Sequence, residues 1–97
     1  MKVNKVVRTS SFKRGVKALA KDHKQKELNK LEEIIRKLCN FEITSGYKNH
    51  PLVGAEDAKE LHISGDILLV YRYVDGNLII SLELLDLLNH KELKRKY

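Results

Sequence analysis

The sequence predicts an α+β domain: an N-terminal strand, an αα-hairpin packed on a small, largely antiparallel β-sheet, and a short C-terminal helix. Three observations predict it. Val3, Val6 and Val7 cluster near the start, an apolar stripe of helical period runs from Leu28 to Leu38, and two apolar strand-like runs flank Asp75-Gly76. Strand, helix, helix and then strands is the order of a sheet with its helices laid on one face. A chain of 97 residues is read as one domain, 1–97, with a modest core.

The elements follow in order. The first strand spans Lys2 to Arg8, its alternation broken by adjacent valines. Ser10-Ser11 offers a helix N-cap, since a serine hydroxyl can accept from a first-turn amide. Phe12, Val16 and Leu19 then recur at helical spacing, and Asp22-His23-Lys24 marks the break. Leu28, Leu31, Ile34, Ile35 and Leu38 form one stripe of a 3.6-residue period, with Asn40 as its end. From Phe41 to Gly54 the pattern is irregular, and Pro51 stops any regular element. Lys59 to Ile63 reads as a short strand, and Ser64-Gly65-Asp66 as a tight turn with glycine at positive φ. Ile67 to Val74 is continuously apolar, as in a strand covered on both faces. Asp75-Gly76 signals a hairpin, and Asn77 to Leu85 returns, with Leu82 and Leu84 facing opposite to Ser81 and Glu83. Asn89 caps a last helical turn, His90 to Lys94.

Composition narrows the function classes. Hydrophobic residues make up 42% and charged residues 33%, the balance of a folded globular chain. No apolar run approaches the roughly 20 residues of a membrane span, so no membrane partner is expected. Met1-Lys2-Val3-Asn4-Lys5 has no apolar stretch after it, so no secretory signal is expected. The single cysteine, Cys39, fits a reducing cytoplasm, and its place on an apolar stripe reads as an inert thiol. The net charge of +6 is uneven: residues 1–48 hold 13 Lys/Arg against 5 Asp/Glu, residues 49–97 hold 6 against 8. A basic helical half can grip a polyanion or an acidic protein. Ordinary solvation of helix faces by lysine gives the same count, and charge alone does not decide.

The chemistry-bearing residues lie in the second half. Imidazole gains and loses a proton near neutral pH, so histidines beside a carboxylate suit phosphodiester cleavage without a metal. His50 is held by Pro51 on an irregular segment, where a rigid scaffold can present it or leave it as a surface residue. His62 stands on a strand, four residues before Asp66. The hairpin between them can bring carboxylate to imidazole and fix its tautomer, or leave an exposed strand face and a local turn. His90 opens the C-terminal helix and, alone, reads as a surface residue. His23, among lysines, carries no such argument. No His-x-His, His-x₃-His or cysteine pair supports a metal site, and no glycine-rich phosphate loop, nucleophile elbow or dinucleotide fingerprint appears. The residues by themselves reach an acid–base site in a small basic α+β domain, and stop there.

The set as a whole resembles a known family. Tyr47-Lys48-Asn49-His50-Pro51-Leu52-Val53-Gly54, then Leu61-His62-Ile63, then Asp66-Ile67-Leu68-Leu69-Val70-Tyr71, then His90 with Leu93, resembles the YafQ-type branch of the RelE superfamily. The resemblance covers nearly the whole chain and implies the RelE-like fold. It implies a toxin of a toxin–antitoxin pair, a ribosome-dependent, metal-independent endoribonuclease that cleaves mRNA by His/Asp acid–base catalysis and takes no cofactor. Its active-site residues fall on His50, His62, Asp66 and His90. Lys59 stands where the family usually has arginine, and Lys48, Lys59 and Lys94 are the expected RNA contacts. The implied partners are a cognate acidic antitoxin, the ribosome with its mRNA, and operator DNA only through the antitoxin complex.

The sequence departs from the family late in the last strand, where an arginine and a glycine are usual. Leu82-Glu83-Leu84-Leu85-Asp86-Leu87-Leu88-Asn89-His90 has neither, and Glu83 near that place would repel phosphate. The departure motivates an alternative: a catalytically weak or inactive RelE-fold module that acts through antitoxin and operator DNA binding.

Overall fold

The first strand enters the sheet parallel to the last one, and the remaining pairings are antiparallel. The computed structural model describes residues 2–42, 50–51, 58–76 and 78–96, with the backbone alone at 50, 51 and 90. In chain order these form β1 (Lys5–Arg8), α1 (Ser10–Lys21), α2 (Gln25–Cys39), β2 (His50–Pro51), β3 (Lys59–Ser64), β4 (Ile67–Gly76), β5 (Ile79–Asn89) and α3 (His90–Lys96). The sheet order is β1-β5-β4-β3-β2, so β1 and β2 are the edges. This is the α+β architecture that the sequence predicts.

Helix α1 is capped one residue earlier than expected. Thr9, in extended conformation, accepts from the Phe12 amide at 3.1 Å, and its hydroxyl donates to the Leu85 carbonyl at 2.7 Å. One side chain thus starts the helix and ties it to β5. Both long helices end in the same way. Lys24 N–H donates to Leu19 O and His23 N–H to Ala20 O; Glu42 N–H donates to Lys37 O and Phe41 N–H to Leu38 O. These are Schellman closures, and His23 and Phe41 sit at φ 57°, where glycine is the usual occupant.

The helical stripes and one face of the sheet build the main core. Phe12 and Leu19 of α1 and Leu31, Ile34 and Leu38 of α2 pack on Leu61, Ile63, Leu69, Tyr71, Leu82 and Leu84. Gly15 lets α1 lie directly on β5: a Cβ there would collide with the Leu87 carbonyl oxygen. On the sheet's other face a smaller cluster joins Ala58, Val70 and Leu88 to Leu85 and to Leu93 of α3.

Two strand expectations are corrected. His50-Pro51 forms a short edge strand, with His50 opposite Glu60 and Pro51 opposite Lys59. Proline is tolerated because an edge position need not donate to a ladder. The hairpin tip lies beyond Asp75-Gly76, which stay in the ladder opposite Ile80 and Ile79. A bulge between Val70 and Tyr71 shifts the β4–β5 register, so Val70 pairs with Asp86 while Tyr71 pairs with Leu84.

Candidate active site

Alternation along β3 sends Leu61 and Ile63 into the helix-side core, at 0% and 1% exposure, and leaves Glu60 and His62 on the opposite face. His62 is half-buried there and its Nδ1 is buried. Across the ladder it pairs with Leu68, which pairs in turn with Leu88. Apolar strand residues therefore hold the imidazole laterally.

The other expected residues are placed by register. His50 lies opposite Glu60 on β2, which puts its position diagonal to His62 on the neighbouring strand. The β3–β4 hairpin closes with Ser64 opposite Ile67 around Gly65, at φ 53°, and the exposed Asp66. Ile67 in turn pairs with Asn89. Asp66 precedes Ile67 and His90 follows Asn89, so the two flank the same cross-strand pair. The four positions, separated by as many as 40 in sequence, lie on β2, on β3, in the β3–β4 turn and at the start of α3.

The lysines divide. Lys94 is exposed, one helical turn after position 90 on α3. Lys59 is exposed at the start of β3, but register puts it on the face of Leu61 and Tyr71, away from that of His62. Lys48 lies outside the described residues.

Three features were missed in the sequence. Glu60, only 9% exposed, sits two positions from His62 on the same face. The β3 alternation was the signal for it, but an acidic strand residue reads by default as solvated. Glu83 does not stand as a bare negative charge: Arg72 Nε meets its Oε1 at 2.5 Å. The pair is cross-strand, Arg72 opposite Glu83, and it puts a guanidinium on the His62 face of β4. Asp86 is buried and ion-paired with Lys96.

Other chemistry finds less support. Burial raises the Cys39 thiol pKa, with Arg8 pulling it down less strongly, so the thiolate is disfavoured as a nucleophile. Among the described residues no three His, Cys, Asp or Glu are grouped to hold a metal ion. Among them, too, no helix is long and apolar enough to cross a membrane. A cleft of about 620 Å³ opens between α1 and α3, with Ser11, Gly15, Leu87 and Arg95 in its walls. It adjoins the site through Asn89 and Glu92.

Residues 4–95 match the family described as the bacterial toxin of type II toxin–antitoxin system, YafQ. No curated protein matches the sequence. Among solved structures, the chain is similar to the toxin in the E. coli DinJ-YafQ toxin–antitoxin complex, at 25% identity and TM-score 0.76, covering 96% of this chain and 98% of that one. It is similar to a metal-bound toxin from Helicobacter pylori, at 29% identity and TM-score 0.78, covering 96% and 99%. A copper-bound mutant toxin from the same organism gives 30% identity and TM-score 0.71, again covering 96% and 99%.

Proposed function

The chain belongs to the YafQ family of bacterial toxins of type II toxin–antitoxin systems, and on that premise we propose that it is an mRNA endoribonuclease acting on the ribosome. The observation that carries the reading is the register of β2, β3 and β4 with β5. That register sets the position of His50 diagonal to His62 and sets Asp66 and His90 beside the same Ile67–Asn89 pair, which supports a shared site.

The chemistry is cleavage by the RNA's own 2′-hydroxyl. One imidazole takes the 2′-OH proton, the oxygen attacks the adjacent phosphorus, and the bond from phosphorus to the 5′-oxygen breaks. A second imidazole returns a proton to the departing 5′-oxygen. The products are a 2′,3′-cyclic phosphate and a 5′-OH. His50 and His62 are assigned the two proton transfers, with Asp66 holding an imidazole, and His90 contacts phosphate or serves as the second acid. An imidazole can both take and give a proton, and neither transfer draws on a metal. Lys94 is assigned to phosphate near His90, and Lys48 and Lys59 to the RNA further along its path. Arg72 neutralises Glu83, so the carboxylate at the late-strand position does not repel the RNA.

The partner is a cognate acidic antitoxin, and operator DNA is reached only through the complex with it. E. coli YafQ is found with DinJ, and the front half of this chain carries 13 basic against 5 acidic residues.

Each general acid or base is worth about 10²–10⁴-fold in rate. His62→Ala should therefore lose mRNA cleavage and growth arrest by that order while circular dichroism shows the native fold. A variant that arrests growth as well as the natural protein would remove His62 from the mechanism. A natural protein that arrests growth without cutting mRNA would favour the binding-module reading.

A further inference from the structure

We propose that Asp86 is a positioning residue: through a buried ion pair with Lys96 it sets the orientation of α3 and so the place of His90. The inference rests on the assignment of His90 to the site. Helix α3 has seven residues, too few to persist without tertiary support. Support comes at three points. At its start, Asn89 Oδ1 accepts from the Glu92 amide at 2.8 Å and Glu92 Oε1 accepts from the Asn89 amide at 3.2 Å, a reciprocal capping box. In its middle, Leu93 packs on the Val70–Leu88 cluster. At its end, Lys96 Nζ lies 2.6 Å from Asp86 Oδ2 and donates to Ser11 Oγ at 3.1 Å.

The third point is the one that fixes direction. Capping holds the first turn and Leu93 holds one side, but neither stops the helix from pivoting about its N-terminus. Lys96 bridges the cleft between α3 and α1, tying the far end to both β5 and Ser11. The Asp86 side chain is only 7% exposed, against 46% for Lys96. A buried carboxylate is costly without its cation, so the attraction acts on the mobile partner and draws the helix end inward. Asp86 lies four residues before His90 on the strand that leads into it, so the pair closes a short ring of chain around the histidine.

The test uses the full chain with Asp86→Asn, Lys96→Ala and the double variant. Three readouts are taken: amide hydrogen exchange of residues 90–96, the NMR signals of the His90 ring, and kcat and KM for mRNA cleavage on programmed ribosomes. Each single variant should speed α3 exchange by about 10-fold, the behaviour of a locally loosened element. Each should also shift the His90 ring signals, and lower kcat by about 10- to 100-fold with KM nearly unchanged, as for a misplaced catalytic group. The double variant should lose no more than the worse single, because both remove one link. Lys96→Ala, at an exposed end, keeps the test available if Asp86→Asn fails to fold. Unchanged exchange and ring signals in the singles would overturn the proposal, as would faster exchange with natural kcat. If the natural protein cuts nothing, the nuclease reading falls, and exchange with the ring signals decides the positioning alone.

Discussion

Tyr73 joins the sheet to the end of α2, where its hydroxyl donates to the Leu38 carbonyl at 2.6 Å. Its ring lies 5.2 Å from that of Phe41 and edge-on to Tyr71 at 5.9 Å. Burial first, then Tyr71 and Cys39, push its pKa well above the ordinary phenol value of 10.0. The unfolded chain therefore loses this proton before the folded one does. The resulting stabilisation is complete below pH 10 and fades as pH rises toward the folded pKa. Tyr73→Phe should cost about 1 kcal/mol in urea unfolding at pH 7, the usual worth of such a bond. Above pH 10 its stability should fall less steeply than that of the natural protein. At this scale the site was half legible. His62 could be assigned a face from strand alternation, and Glu60 two residues earlier followed the same rule unnoticed. Asp86 could not be read, because the bulge at Val70/Tyr71 alters which β5 residue faces Val70.

Elements were more legible than their ends. The stripes of α1 and α2 predict the helix faces that the core uses, because a 3.6-residue period is a local property. Caps and turns depend on what lies across space. Thr9 rather than Ser10 caps α1 because Leu85 supplies an acceptor 76 residues away. The β4–β5 hairpin extends past Asp75-Gly76 because two further cross-strand pairs form, which leaves Leu78 at φ 59° and fully exposed. Two positions show opposite demands on side-chain volume. His23 closes α1 in a left-handed conformation that costs an L-residue about 1 kcal/mol, so His23→Gly should stabilise by that order. Gly15 faces the Leu87 backbone, and Gly15→Ala should destabilise by about 2 kcal/mol or more, since backbone cannot yield as a side-chain tip would. Thermal and urea unfolding of the two variants check both signs. Gly15→Ala melting like the natural protein would mean that α1 does not lie so closely on β5.

At the scale of the molecule, the sheet order relates positions that are scattered in the sequence. The helices occupy one face, and the other carries His62 and Glu60 with α3 folded over its end. That segregation was predictable from element order. The relation of the four positions was not, because it depends on the register of β2, β3, β4 and β5, a long-range property. The grouping of the four comes from family likeness. The account's central claim is that this face cleaves RNA by internal attack of the 2′-hydroxyl. The most direct measurement is the end chemistry of mRNA recovered from programmed ribosomes incubated with the protein, beside His62→Ala. The account predicts cuts that leave a 2′,3′-cyclic phosphate and a 5′-OH, and that vanish with His62→Ala. Cuts that leave a 3′-OH and a 5′-phosphate, or that persist in His62→Ala, would contradict it.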